Sequence, residues 1–270
     1  MQQNPLVSVV MTTRNRAEYL KKAVASVFSQ TYKNIELVIV NDGSTDKTTK
    51  VISKLYGKDK QVIILTNEMN LGYQKSLNKG IAMAHGEYIA RIDDDDSWID
   101  PKKLEKQVRF LEKHKDYVLT GGGAIWIDKT GKELFRYLLP KEDEEIRKQI
   151  LLKNRFVHSS VVFKKKDWES AGKYNEGLLY CDWALWLELG KLGKLYNFPE
   201  YFVNYLKWEN NTTNFNVRKN LKEEIEIRKK YHKYYPNYFK AIPFGWIYYL
   251  SSFLPFRNKI RSVYNSVKNK

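Results

Sequence analysis

The chain has 270 residues, 43% of them apolar, and a formal net charge of +16. Such a length suits one α/β domain with an appendage or two small domains, and the apolar share is enough for a substantial core. A single cysteine, Cys181, excludes an internal disulfide and points to a reducing compartment.

Residues 6–11 read as a buried first strand, followed by the polar loop Thr12-Thr13-Arg14-Asn15-Arg16. Residues 17–29 have helical spacing, with Leu20, Val24 and Val27 on one face. Residues 35–40 form a second strand whose unbroken apolar run suits a parallel sheet covered on both sides. Asn41-Asp42-Gly43-Ser44-Thr45-Asp46 is a turn leading into a helix, with Asp46 as N-cap. Residues 62–65 are a third strand, 67–72 a loop and 73–84 a helix. Strand–helix alternation at this spacing implies parallel strands with right-handed crossovers. No Gly-x-Gly-x-x-Gly or Gly-x-x-x-x-Gly-Lys-Ser/Thr follows the first strand, so neither a dinucleotide site nor a P-loop is expected.

A fourth strand, with Tyr88, Ile89, Ala90 and Ile92 suited to burial, runs into Asp93-Asp94-Asp95-Asp96. Four adjacent carboxylates repel one another and need a cation or strong donors nearby. A divalent ion bound through hard oxygens is the simplest partner, and the carboxyl end of a buried strand is where open α/β sheets bind ligands. The alternative is a solvated acidic turn. Beyond Pro101, a helix to residue 113, short strands at 117–120 and 124–127, a hairpin turn at 128–131 and a charged helix at 141–153 follow. A strand at 159–163, a helical turn at 167–171, a Trp- and Leu-rich helix at 181–192, a last strand at 201–207 and a basic helix at 216–235 complete the pattern.

Ser8-Val9-Val10-Met11-Thr12-Thr13-Arg14-Asn15, Leu37-Val38-Ile39-Val40-Asn41-Asp42-Gly43-Ser44-Thr45-Asp46 and Ile92-Asp93-Asp94-Asp95-Asp96 together resemble a family-2 glycosyltransferase of the GT-A type, in order and spacing from about Val7 to Asn211. The resemblance implies an α/β fold: a Rossmann-like, mainly parallel central sheet flanked by helices, a small antiparallel acceptor-side sheet and a C-terminal helical extension. Residues 1–213 would be catalytic, with 1–100 binding the nucleotide sugar and 101–213 facing the acceptor. Residues 214–270 would form a basic aromatic extension.

The same resemblance assigns donor binding to Thr12, Thr13, Arg14, Asn15, Asp42, Gly72, Lys75, Arg91, Asp93 and Asp94. Asp42 reads otherwise as a turn cap, and Arg14 equally as surface. Asp95, with Asp93, would hold Mg²⁺ or Mn²⁺ against the donor diphosphate. Asp96 would brace the site or face the acceptor. Tyr180-Cys181-Asp182-Trp183-Ala184-Leu185-Trp186-Leu187 resembles the family's Glu-Asp-Trp-x-Leu-Trp-Leu segment, making Asp182 the catalytic base. Cys181 stands where that segment has Glu. His158 and Trp183 are placed on the acceptor side, although His158 reads equally as a structural histidine. Trp208 is placed there too, where relatives carry a His. His85, His114 and His232 show no metal-ligand spacing.

The expected activity is therefore inverting, metal-dependent transfer of a hexosyl or N-acetylhexosaminyl group, from a UDP-linked donor to a hydroxyl of a surface polysaccharide or lipid-linked glycan. A sugar-nucleotide-binding protein without activity and a sugar-phosphate nucleotidyltransferase are the alternatives. No nucleic-acid module is evident, and a homo-oligomer is an open expectation. The first residues lack a basic and an apolar region, so no secretory leader is expected. Residues 241–256 carry no charge, but these 16 residues fall short of the roughly 20 that span a bilayer. Seven Lys/Arg and no acidic residue follow Tyr231. A cytoplasmic protein, peripheral on an anionic membrane surface through 241–270, is one reading; an apolar helical hairpin packed on protein is the other.

Overall fold

The computed structural model describes residues 4–207 and 217–253. Trp208 and the tail beyond residue 253 lie outside the described residues. In chain order the first half runs β1 (Val7–Thr13), α1 (Ala17–Phe28), β2 (Ile35–Asn41), α2 (Thr48–Tyr56), β3 (Val62–Thr66), α3 (Tyr73–Met83), β4 (Tyr88–Arg91), β5 (Ser97–Trp98) and α4 (Lys103–Lys113). The second half runs β6 (Tyr117–Ile127), β7 (Glu133–Tyr137), α5 (Asp143–Ile150), a 3-10 turn (His158–Ser160), β8 (Val162–Lys164), α6 (Lys165–Ser170), α7 (Cys181–Leu192), β9 (Lys194–Leu206), α8 (Val217–Tyr231) and α9 (Tyr238–Ser251).

One mixed sheet carries the fold, in the order β3-β2-β1-β4-β8-β6-β9-β5, with β7 also paired to β6. The first four of these strands are parallel. The antiparallel pairings expected on the acceptor side join the same sheet through β4 and β8. Every residue of β1 and β4 is buried, as strands covered on both sides require. Alternate side chains supply two cores. Val9, Met11, Leu37 and Ile39 meet α1 and α4 on one face, while Val10, Val38 and Val40 meet α3 and extend to α5 and α7 on the other. A Cβ on Gly80 of α3 would lie 2.8 Å from Val10 Cγ1 and from Val40 Cγ2, so only glycine lets that helix sit so close.

Four local expectations change. The two strands expected at 117–120 and 124–127 are one, because Gly121-Gly122-Gly123 continues the pairing of β6 with β9. Phe156 and Phe202 rings and the Tyr137 carbonyl fill the space their side chains would take. The last strand starts at Lys194 rather than 201. The stretch 159–163 splits into the 3-10 turn and β8. Helix α4 begins at Lys103, where the buried Gln30 side chain accepts from the Leu104 N–H (3.1 Å) and donates to the Asp100 carbonyl (2.9 Å), a cap from far away in sequence.

Candidate functional site

The parallel strands direct their carboxyl ends to one edge of the sheet, and the loops there carry most of the expected residues. Thr12 and Thr13 end β1 and are buried, while Arg14 and Asn15 are exposed. Asn15, at φ 56°, accepts from the Thr45 N–H (2.8 Å) and so ties the first loop to the second. Asp42, expected to meet the nucleotide, is 4% exposed and turned inward. Its oxygens accept from Asn67 Nδ2 (2.9 Å), the Leu71 N–H (2.8 Å) and the Gly72 N–H (3.0 Å). Burial would raise this carboxyl, but those donors outweigh it and hold it low. Asp42 therefore shapes the 67–72 loop. Gly43 and Gly72 make the loop possible: both have positive φ, and a Cβ on Gly43 would lie 2.4 Å from the Met69 carbonyl carbon. Lys75 stands exposed in the first turn of α3.

Arg91, assigned by resemblance to donor binding, is fully buried in β4. Its guanidinium donates to the carbonyls of Val10 and Ile92, to the Tyr73 hydroxyl (2.7 Å), to Asp93 and to His158 Nε2 (3.3 Å). It anchors Asp93 from behind and does not reach out toward a ligand. Because arginine only donates, His158 Nε2 must be the acceptor, and the proton of the neutral ring sits on Nδ1. That nitrogen lies 3.0 Å from the Tyr73 oxygen, which donates in turn to Asp93 Oδ1 (2.8 Å). Tyr174 closes the network at 2.7 Å from His158 Nε2. Burial, then the Arg91 charge, pushes His158 down to about 3, so the ring is neutral at physiological pH. Both its nitrogens are engaged by protein, so His158 helps to organise the carboxylate loop.

The four aspartates divide. Asp93 would rise through burial, but the Arg91 guanidinium and the Tyr73 hydroxyl hold it low. Asp94 is 6% exposed and turned inward, so it does not present itself to a donor; burial and the neighbouring Asp95 raise it to about 7. Asp95 forms an ion pair with Arg16, which no sequence signal had singled out. Asp96 is 2% exposed; it accepts from Ser159 Oγ and from the Leu206 N–H (3.0 Å). Burial and the charges of Asp95 and Asp93 push it well above the usual range. Asp96 braces the loop against β9.

Asp182 lies in the first turn of α7, half-buried. Asn154 Nδ2 donates to its Oδ2 at 2.7 Å. Desolvation raises the carboxyl to about 6 despite the Trp183 N–H and Asn154, and the negative charge of Asp93 adds to the rise. Asp182 is thus within electrostatic reach of the acidic loop. Trp183 is 2% exposed and donates its indole N–H to the Ile150 carbonyl (2.8 Å), so it belongs to the core and not to the acceptor side. Cys181 is buried, which pushes its thiol up and makes it a small apolar neighbour.

No group of three or more His, Cys, Asp or Glu positioned to hold a metal ion occurs among the described residues. Asp93 and Asp95 are oxygen donors of the type that a hard divalent ion takes alongside phosphate and water. Asp93 and Asp95 keep 24% and 14% of their side chains exposed, and beside them burial, then the neighbouring negative charges, lifts Asp94 and Asp96. Sequence reasoning missed Arg16, Tyr73, Asn154, Ser159 and Tyr174. Of these only Tyr73, directly after Gly72 at the start of a helix, had a local cue.

The family model described as Glycosyl transferase family 2 matches residues 8–171. The chain is 32% identical over 198 residues to the amylovoran biosynthesis glycosyltransferase AmsE of Erwinia amylovora, a match covering 73% of this chain and 74% of that protein. Its fold is similar to that of the mannosyltransferase PcManGT from Pyrobaculum calidifontis in complex with GDP-Man and Mn²⁺, with TM-score 0.66, 16% identity, and 92% and 70% of the two chains covered. It is also similar to S. aureus TarS 1–349 in complex with UDP-GlcNAc, with TM-score 0.67, 16% identity, and 94% and 74% covered. At such identity these two likenesses establish the GT-A fold alone.

Proposed function

The chain belongs to glycosyl transferase family 2 and is a glycosyltransferase; from that premise we propose that it inverts configuration at the sugar it moves, taking it from a UDP-linked donor to a hydroxyl of a surface polysaccharide or lipid-linked glycan. Residues 1–213 form the catalytic domain in this reading. The observation that carries it is Asp182: a half-buried carboxyl raised to about 6, beside a helix N-terminus and within reach of the Asp93 charge. A group with that value is about nine-tenths ionised at pH 7 and still basic enough to take a proton.

Asp182 accepts the proton of the acceptor hydroxyl as its oxygen bonds to the anomeric carbon, and the bond from that carbon to the donor phosphate breaks on the opposite side. Asp93 and Asp95 would hold Mg²⁺ or Mn²⁺, which when bound neutralises charge on the departing diphosphate. Arg91, Tyr73 and His158 fix Asp93 in a single orientation, and Asn154 fixes Asp182. Thr12, Thr13, Arg14, Asn15, Gly72 and Lys75 line or approach the same edge and are proposed to meet the nucleotide, with Asp42 setting the loop that does so. The ligands of the two structural neighbours, GDP-Man and UDP-GlcNAc, support a nucleotide-sugar donor.

The test is a panel of nucleotide sugars assayed for diphosphate release with and without Mn²⁺, in wild type and Asp182→Asn. UDP-sugar turnover that needs the metal and is lost in the variant, with UDP binding kept, is expected. Full turnover by the variant removes Asp182 from the base role.

A further inference from the structure

Helix α9 distributes its side chains in the reverse of the usual sense. Ala241, Gly245 and, just beyond the helix, Ser252 face inward. A Cβ on Gly245 would lie 2.7 Å from Arg228 Nη1 and 3.1 Å from Ile225 Cγ1, so α9 sits tightly on α8. The large apolar residues face out: Phe239 is 89% exposed, Ile247 64%, Leu250 59% and Phe253 53%. With Pro243 and Trp246, spacings of three and four place them on one continuous face. A core-packed helix would bury these side chains and expose small or polar ones.

Cations rim this face. The Arg218 guanidinium lies 4.0 Å from the Phe253 ring centre, Lys229 lies 5.8 Å from that of Trp246, and Lys240 is exposed at the edge. The three acids of α8 have protein partners: Glu223 accepts from the Tyr180 N–H, Glu224 pairs with Arg228, and Glu226 pairs with Lys229, which leaves Arg218 and Lys240 to supply the net positive charge of the rim. No acidic residue follows Tyr231 in the sequence, against seven Lys/Arg.

We propose that this face of α9 docks the protein on an anionic phospholipid bilayer, with the apolar stripe in the interface and the cations on the headgroups. The helix is 14 residues long, about 21 Å at the usual rise, and therefore lies in the plane of a bilayer core about 30 Å thick. Among the described residues no helix is long and apolar enough to cross a membrane. Half-buried Tyr248 and Tyr249 beside Trp246 suit the headgroup boundary. A second copy is the poorer occupant, since a two-fold contact would bring two copies of the same cation-rimmed face together with no acidic residue after Tyr231 to offset them. Helix α8 lies between α9 and the base: Glu223 holds the Tyr180 N–H at 2.7 Å, and Arg228 holds the Leu151 carbonyl at 2.9 Å. Docking would bring the Asp182 side of the site toward the lipid surface; this last statement alone rests on the sugar-transfer reading.

The experiment is co-sedimentation of the full chain with phosphatidylcholine vesicles, with and without about a third of phosphatidylglycerol. The variant combines Phe239→Ser, Ile247→Ser and Leu250→Ser, all solvent-facing. Wild type should prefer the anionic vesicles, and the variant should bind them at least about tenfold more weakly while keeping wild-type thermal unfolding. Equal binding by both proteins overturns the proposal. So does a wild-type dimer that ignores vesicles and dissociates in the variant. Vesicle binding without any donor turnover upholds the docking surface and counts against sugar transfer instead.

Discussion

Asn154 offers a direct way to ask whether Asp182 is the base. Replacing Asn154 by Ala removes the 2.7 Å hydrogen bond to Asp182 Oδ2. A bond to an ionised group is worth about 1.5–3 kcal/mol, and water recovers part of it at a half-buried carboxylate. A net loss of about 1.4 kcal/mol raises the carboxyl by about one pH unit, from about 6 to about 7. The rate of diphosphate release follows the ionised form, so its acidic limb should move by that amount. At pH 6.5 the variant should be about threefold slower, and at pH 8.5 nearly equal to wild type. The assay is kcat/KM for the donor between pH 5 and 9 at saturating Mn²⁺. Asn154 Oδ1 also accepts from the Phe156 N–H (3.0 Å), so some stability is lost, but lost stability lowers all rates alike and leaves the limb in place. A limb at the same pH in both proteins, or an equal fractional loss throughout, would refute the reasoning. The sign of the linked stability is a second check. The folded value of Asp182 lies above its ordinary 3.8, so its contribution is complete below about pH 4 and lost as pH rises through about 6. Asp182→Asn should therefore unfold at a higher temperature than wild type at pH 8, with the gap closing toward pH 4.

Tyr73→Phe deletes a hydroxyl that joins Arg91, His158 and Asp93; leaving the buried guanidinium short of an acceptor should cost about 1–3 kcal/mol, read as a lower Tm, and an unchanged Tm would mean the network is not stabilising. Arg16→Gln frees Asp95 from an ion pair worth about 1 kcal/mol, so calorimetric titration should show about fivefold tighter Mn²⁺ binding; weaker binding would show that Arg16 helps to build the site. Gly80→Ala would gain about 1 kcal/mol of helix propensity but forces a methyl against two valines of the sheet at 2.8 Å, which costs about 1–3 kcal/mol, so denaturant titration should show a net loss; a net gain would mean α3 can shift away.

The sequence was most readable where structure is local. Runs such as Leu37-Val38-Ile39-Val40 announce a doubly covered strand, and the turn at 41–46 and the Asp run at 93–96 stand next to the strands that present them. The partners of those groups were not readable, because each arrives from a distant element: Arg16 from before α1, Ser159 from the 3-10 turn, Asn154 from the segment after α5. Burial was the least readable property of the site. Asp42, Arg91, Asp96 and His158 have the side chains expected of ligand contacts, yet their polar atoms are engaged by protein. Pattern alone cannot show which way a carboxylate turns at the end of a strand. The glycine triplet failed for another reason. Three residues with no side chain look like a break, but here they admit the Phe202 ring from β9 and the Phe156 ring from the segment after α5 beside an unbroken strand.

The hydrogen bond from the Leu206 N–H to Asp96 spans 110 positions, and Ser97–Trp98 pair only with β9. A polypeptide leaving the ribosome therefore synthesises its acidic loop long before the strand that pins it. Until residue 206 emerges, Asp96 lacks the backbone N–H that holds its Oδ1. A gene fragment encoding the first hundred residues would keep Arg91 and Tyr73 beside Asp93 and Arg16 beside Asp95, but would leave Asp96 without Ser159 and the Leu206 N–H.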